Sequence, residues 1–296
     1  MKYTIERYST HERFNSQYDR IYAFLLNSAD SGINEHFHWG RFEWMMGHSM
    51  LDEDKLGSIG IFLDGSGEIV GMVTYDTEIE DGPYLLHSSD DRELLSAMVD
   101  YAESEYRGDE GRVLPVANDG DRALCDELLG RGYTETDWRD SVLALDIAGL
   151  RSVPLPEGFR LSAEDERADP WKYAVALHRG FDHEGMPDPG DEAFFAPSQN
   201  YRDALKVFAI DENGNYCAHC GIWYTGGATA YVEPVVTVPE CRGRGLAKAV
   251  IYEAAIRAGR LGAKRAAVLS TMEFYRKLGF ETSSSFIHFQ SPDNRD

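Results

Sequence analysis

The chain reads as a mixed α/β protein made of two tandem copies of one domain, each a mixed sheet carrying helices. Three observations predict this. Strand-like and helical stretches follow the same order in both halves. Each half holds a hairpin signal: Asp64 to Gly67 between the apolar runs Ser58–Leu63 and Glu68–Tyr75, and Asp211 to Asn215 between Lys206–Ile210 and Tyr216–Tyr224. Each half also ends alike. Asp126 to Tyr133 aligns with Glu273 to Phe280 when the Gly-aromatic pairs are superposed, each a helix closed by a left-handed glycine before an aromatic residue re-enters the sheet.

The length of 296 residues suits two domains at about 150 residues each. A hydrophobic content of 43% with 12% aromatic residues is that of a globular chain rather than a disordered one. The formal net charge of −22 argues against a nucleic-acid partner, whose phosphates it would repel. It is compatible with cationic substrates such as amines, and equally with a plainly solvated acidic surface. No apolar run approaches the roughly 20 residues that span a bilayer, and Met1 to Glu6 lacks a signal-peptide core. A soluble cytoplasmic protein without a membrane partner is expected.

In the first half, residues 1–148, Tyr3–Tyr8 alternates as a strand. Helical spacing follows through Phe14, Tyr18, Ile21, Tyr22 and Leu25, and again from Phe42 to Met46. The cluster Phe37, Trp39, Phe42, Trp44, Met45 and Met46 is expected to pack in the core, with pocket lining as the alternative. After the hairpin come a strand at Pro83–His87, a helix at Glu93–Tyr106, a strand near Arg112–Val116, a helix at Asp121–Leu129 and a last strand at Ser141–Ile147. Residues 149–158, with Pro154 and Pro156, read as a linker. The second half, residues 159–296, opens with a strand at Phe159–Ser162. Asp169-Pro170 then offers an N-cap with proline at the first helical position. A strand at Ala266–Leu269, a helix at Thr271–Leu278 and a strand at Phe286–Phe289 close the chain.

The four cysteines are Cys125, Cys217, Cys220 and Cys241. Cys217-Ala218-His219-Cys220 has the spacing of a zinc half-site, but no second pair completes it. Strand alternation should turn Cys217 and Cys220 to opposite faces. Reduced core thiols are expected, and no metal.

The richest stretch runs from Tyr231 to Phe280. Val232–Val238 is a β-branched strand stopped by Pro239, followed by Arg242-Gly243-Arg244-Gly245 and a helix through Leu246, Val250, Ile251, Ala254, Ala255 and Leu261. A glycine-rich turn feeding a helix leaves N–H groups free and concentrates partial positive charge, which suits a diphosphate. Glycine lets the backbone approach phosphate oxygens closely. Arg242 and Arg244 add charge where an anion would sit. The counterpart in the first half, Ser88 to Glu93, has no glycine and three carboxylates, and would repel a diphosphate.

These residues resemble a known family. Arg242-Gly243-Arg244-Gly245-Leu246-Ala247 matches the Arg/Gln-x-x-Gly-x-Gly/Ala signature of the GCN5-related N-acetyltransferases, and Tyr275-Arg276-Lys277-Leu278-Gly279-Phe280 resembles that family's second signature segment. The similarity in motif spans Phe159 to Phe289; the first half resembles the fold by element order only. The resemblance implies acetyl-CoA as donor, a primary amine as acceptor and a sheet whose fourth and fifth strands splay around the donor. It implies that backbone around Val236, Thr237 and Val238 contacts the pantetheine arm. The amides of Arg242, Gly243, Arg244, Gly245, Leu246 and Ala247 would hold the diphosphate, and Tyr275 would protonate the departing thiolate. The family's usual Asn before the second helix is absent here, where Ser270-Thr271-Met272 stands. Leu128 occupies the place of Tyr275 in the first half, which is expected not to bind CoA productively but to shape the acceptor site or join the halves.

The chemistry asks for the same groups. An attacking amine must be neutral, so a base or water chain removes its proton. The oxyanion needs donors, and the thiolate needs an acid, for which a phenol of pKa about 10 serves. Glu233, on the donor strand, is the first candidate for the base, directly or through water, with anchoring of the amine as its other role; His219 is the alternative base. Asp182, Glu184, Asp188, Asp191 and Glu192 form an acidic loop that either attracts a cationic acceptor or is simply solvated. The expected activity is direct acetyl transfer, in a ternary complex, to a small-molecule amine. Transfer to a protein amine, and an acyl-CoA-binding sensor without turnover, are the alternatives.

Overall fold

The computed structural model describes residues 2–30, 32–48, 51–76, 82–108, 111–188 and 198–292. The first half contributes β1 (Thr4–Arg7), α1 (Ser16–Ser28), α2 (Trp39–Gly47), β2 (Gly60–Leu63), β3 (Ile69–Thr74), β4 (Tyr84–His87), α3 (Arg92–Glu105), β5 (Val116–Asn118), α4 (Arg122–Gly130) and β6 (Thr134–Asp146). The second contributes β7 (Phe159–Leu161), α5 (Pro170–Gly180), β8 (Lys206–Asp211), β9 (Tyr216–Trp223), β10 (Thr229–Thr237), α6 (Leu246–Arg260), β11 (Arg265–Leu269), α7 (Glu273–Lys277) and β12 (Glu281–Gln290). The mixed α/β architecture and its internal repeat are those expected.

Among the described residues all strands join in one sheet, ordered β1-β2-β3-β4-β5-β12-β6-β11-β10-β9-β8-β7. The order reveals an exchange that the sequence does not announce. β12, the last strand of the second half, pairs with β5 of the first through Phe286 opposite Asn118. β6, the last strand of the first half, pairs with β11 of the second from Arg265 opposite Asp146 to Leu269 opposite Val142. β6 and β12 also pair with each other along most of their length. Both run longer than their apolar pattern suggests, because the ladder between them holds even the polar stretch Thr134–Asp140 extended. β5 starts at Val116, later than expected, since Pro115 has no N–H for a ladder.

Three apolar clusters on two faces follow from this sheet. On one face α1, α2 and α5 bury a core shared by both halves, including Tyr18, Trp39, Phe42, Tyr84, Tyr173, Phe208 and Tyr231. On the other face the halves keep separate cores: α3 and α4 cover Phe62, Leu94, Met98 and Leu128, while α6 covers Val207, Ala218, Cys220, Val250 and Ala254. The common layer is what fastens the halves together. Some of its polar groups pair across the seam. Glu43 on α2 accepts from Ser198 Oγ (2.7 Å), Asn200 N (2.6 Å) and the Tyr18 hydroxyl, and Asp30 accepts from Thr229 Oγ1 at 2.8 Å. Such pairing across the seam lets the Glu43 carboxylate be buried without the several-kcal/mol penalty of a lone charge.

The cysteines need one correction. Cys217 and Cys220 both lie in the core under α6, not on opposite faces. The register with β8 shifts between Ala209 opposite Ala218 and Ile210 opposite Tyr216, so an extra residue sits at Cys217 and reverses the alternation. Burial pushes both thiols up to about 12. Among the described residues no group of three or more His, Cys, Asp or Glu gathers in a way that could hold a metal ion.

Candidate active site

The site is the place where the sheet opens. β10 runs parallel to β11 only from Thr229 opposite Arg265 to Tyr231 opposite Ala267. Beyond Tyr231 it stays with β9, reaching Thr237 opposite Ala218, so its other edge is left without a ladder partner. Glu233 and Pro234 sit at the apex of this opening, where the register slips between Val232 and Val235. Two features hold the bulge. The Trp223 indole N–H donates to the Glu233 carbonyl (2.9 Å), and Gly221 has no side chain where a Cβ would stand 2.5 Å from that same oxygen.

The open edge presents particular groups. Val238 N donates to the Cys217 carbonyl at 3.0 Å. By the alternation of an antiparallel ladder, Val238 and Val236 therefore turn their main-chain groups to β9, and Val235 and Thr237 turn theirs into the opening. Of the three residues expected on the pantetheine arm, Thr237 faces the gap while Val236 and Val238 turn away.

The glycine-rich turn delivers α6 with its N-terminus bare. Gly243 and Gly245 both have positive φ, 74° and 79°, and a Cβ at either would meet nothing within 4 Å. Gly245 is the N-cap of α6 and makes no side-chain cap bond. The other helices of eight or more residues are capped by their own side chains: Asn15 for α1, His38 for α2, Asp91 for α3, Asp121 for α4 and Asp169 for α5. The first-turn amides of α6, from Leu246 and Ala247 on, thus keep the acceptor-seeking character that a helix N-terminus has before it is capped. α3 stands at the matching place in the first half and carries its anion built in, since the Asp91 carboxylate accepts from Glu93 N.

The two arginines do not aim at that N-terminus. Arg242 donates to the Thr237 and Gly180 carbonyls (3.0 and 2.9 Å) and pairs with Asp182 at 3.0 Å, which ties β10, α5 and the following loop together. Arg244 lies over the Phe159 ring at 5.8 Å. Asp182, proposed to attract a cation, is thereby matched to Arg242; Asp191 and Glu192 lie outside the described residues.

Tyr275 sits on the short helix α7, 8% exposed, its ring edge-on to Phe274 and Phe280. The helix stops there because Gly279, with φ 90°, turns the chain so that Phe280 N reaches the Tyr275 carbonyl (3.1 Å). Burial raises the phenol above its ordinary value, and the Cys220 thiol and Glu233 add to this, so Tyr275 keeps its proton. His219 is the clear correction. It is fully buried, with Nδ1 3.1 Å from the Val207 carbonyl and Nε2 2.6 Å from the Tyr173 hydroxyl. Only an N–H can meet a carbonyl, so Nδ1 carries the proton and Nε2 accepts from Tyr173. Burial, with Lys206 nearby, pulls its pKa well below the usual value, and it has no open path to an acceptor.

Sequence reasoning missed the residues that meet Glu233. Arg41 on α2 of the first half lies 3.9 Å from Glu233 Oε1, donates to the Tyr231 hydroxyl at 3.1 Å and is ion-paired through Nε with Asp76. Burial would lower its pKa, but Asp76, Tyr231 and Glu233 together hold the guanidinium well above its ordinary value. The signal was present: every residue of α2 is buried, and Arg41 and Glu43 are the two charges inside that apolar run. A charge in an all-buried helix must have a partner elsewhere.

Residues 171–280 match a family model described as acetyltransferase (GNAT) family. This segment is a GNAT domain. Solved GNAT structures also resemble the chain across both halves. A tandem GNAT protein from the clavulanic acid biosynthesis pathway is 13% identical, with 99% of each chain covered and a TM-score of 0.61. A GCN5-related N-acetyltransferase from Sphaerobacter thermophilus is 14% identical, covering 98% of this chain and 95% of the other at a TM-score of 0.59. N-myristoyltransferase from Saccharomyces cerevisiae is 10% identical, covering 98% and 80%, at 0.56. At such identities the likeness is one of fold, and the fold is a tandem GNAT pair. No curated protein matches the sequence.

Proposed function

We propose that the protein is an acetyl-CoA-dependent N-acetyltransferase that modifies the primary amine of a small molecule by direct attack, with the donor held in the C-terminal GNAT domain. The observation that carries this reading is the bare α6 N-terminus at Gly245 beside the unpaired edge of β10. Together they supply a diphosphate cradle and a strand edge for an amide-bearing arm. The first half has no bare helix N-terminus at the matching place, since Asp91 caps α3, and Leu128 stands in the place of Tyr275. The similar N-myristoyltransferase from Saccharomyces cerevisiae was solved with bound myristoyl-CoA, which supports an acyl-CoA donor here.

Acetyl-CoA supplies an activated carbonyl carbon. Main-chain amides of the β10 edge would donate to its oxygen as negative charge develops there. Glu233, at the apex of the opening, would take the amine proton through water. As the new C–N bond forms and the C–S bond breaks, the Tyr275 hydroxyl would give its proton to the departing sulfur.

The test is to mix the protein with acetyl-CoA and a panel of amines and to follow free thiol. Amine-dependent thiol release is the expected result. CoA binding without release for any amine would mean that the protein is a sensor rather than an enzyme.

A further inference from the structure

The first half has an opening of its own, and the chain itself fills it. Among the described residues β4 runs parallel to β5 only where Tyr84 lies opposite Val116. Beyond Tyr84 it stays with β3, reaching His87 opposite Gly71, as β10 stays with β9. The Asn34 side chain donates to the His87 carbonyl (2.8 Å) and accepts from His87 N (3.2 Å), so one amide takes up both main-chain groups at this strand edge. From the other side Asn118 on β5 donates to the Gly32 and Ile33 carbonyls at 2.7 and 3.3 Å. Residues 32–34 are thus gripped by both lips of the opening. The same segment then leads to the donor half, with every residue from Asn34 to Gly47 buried. Glu35 accepts from the Ser284 hydroxyl on β12 at 2.6 Å and pairs with Arg265 on β11 at 2.8 Å. His38 stacks on Tyr231 with ring centroids 5.2 Å apart, and Arg41 ends the path 3.9 Å from Glu233 Oε1.

We infer that the opening of the first half is a socket for this strap, and that Asn34 and Asn118 are positioning residues that set Glu233 for the acceptor amine through Arg41. The inference rests on the acetyltransferase reading and adds two residues of the first half to its acceptor side. An amide that meets both main-chain groups of one residue fixes distance and direction together. Without it the buried His87 N–H and C=O lose their partner, and the segment must shift or leave them unpaired. A close-packed strap passes such a shift on rather than absorbing it. The shift reaches α2 and Arg41. Glu233 also interacts with Lys206 of its own half; what the strap adds is the contact from Arg41. The bare end of α6 belongs to a separate core on the other face of the sheet, so donor binding should not feel the change.

The experiment compares Asn34→Ala, Asn34→Asp and Asn118→Ala with Leu124→Ala, which weakens the α4 core of the first half away from the strap. Asn34→Asp keeps the shape and the bond from His87 N but faces the His87 carbonyl without a donor, so it carries the test should either alanine variant at the socket fail to fold. Thiol release with each amine that is turned over gives KM and kcat, calorimetry gives CoA affinity, and hydrogen exchange follows the α2 and α6 amides. The socket variants should raise the amine KM about threefold or more, and by a larger factor than they lower kcat, with CoA affinity kept within about twofold. Exchange should quicken in α2 and not in α6. Asn34→Ala combined with Asn118→Ala should fall short of the product of the two effects, because both residues grip one segment. Leu124→Ala should lower the melting temperature and leave the amine KM alone. An unchanged amine KM in the Asn34 variants, an equal rise in Leu124→Ala, or a matching loss of CoA affinity overturns the inference. If no amine is turned over, the acetyltransferase reading falls and exchange decides the strap: quicker exchange in α2 alone upholds it, and unchanged exchange overturns it.

Discussion

Gly40 on α2 sits so close to Trp223 on β9 that an added Cβ would stand 2.6 Å from the Trp223 Cβ and 3.1 Å from that of Tyr231. The first half is therefore seated on the donor strand to within a methyl group. Gly40→Ala would gain up to about 1 kcal/mol of helix propensity. The contact is with rigid Cβ atoms, so overpacking should outweigh that gain and leave a net loss of roughly 1–2 kcal/mol. Turnover should fall further than CoA affinity, because Arg41 moves with the helix. Thermal unfolding and CoA calorimetry on one preparation check this, and an unchanged melting temperature would contradict such close seating.

Gly245→Asp should abolish CoA binding while the protein remains folded. The substitution meets no neighbour, but it costs about 1 kcal/mol at a left-handed φ. It also places a carboxylate on the one long helix among the described residues that lacks a side-chain cap, reproducing what Asp91 does for α3. Calorimetry with CoA decides the matter. Retained affinity would put the diphosphate elsewhere.

Tyr275→Phe removes only a hydroxyl from a packed ring, so CoA affinity should stay within about twofold while kcat falls by roughly 10². The phenol is held above its ordinary value by burial, so no alkaline limb from Tyr275 should enter the rate profile below pH 10. Equal maximal rates in the two proteins would remove Tyr275 from the mechanism.

Lys206 offers a pH-dependent signature. It is buried with its amine 3.4 Å from the Trp223 ring centroid, and burial lowers its pKa to about 7. The unfolded chain restores the ordinary value of 10.5, so between about pH 7 and 10.5 the unfolded state binds more protons than the folded one. This contribution to stability is complete above that window and is lost as pH falls through 7. Lys206→Met should flatten that slope in melting experiments between pH 6 and 9. The same slope in both proteins would show that Lys206 is not its source.

Much of this was legible in residue order. The glycine spacing at Arg242–Gly245 identified the turn before α6, and the Gly-aromatic pairs at Gly132 and Gly279 showed the repeat, because both depend on backbone conformations that few residues other than glycine adopt. The direction of Arg242 was not legible. Its charge suggests an anion, but the side chain is claimed by the Thr237 carbonyl at the end of β10 and by the Gly180 carbonyl, 62 residues away in the chain. The choice among Val236, Thr237 and Val238 was equally hidden, since it depends on the register of β10 against β9.

By itself the sequence determined the local pieces: strands with their periods, the bare phosphate turn, the phenol on a short helix, and a first half whose matching turn ends in carboxylates. Those follow from interactions within a few residues of chain. Only the tertiary structure decided that β6 and β12 change places, that His219 is sealed against Tyr173, and that Arg41 from one half meets Glu233 from the other. Each of these joins residues far apart in the chain, and their pairing is set by which apolar faces bury each other rather than by any local preference.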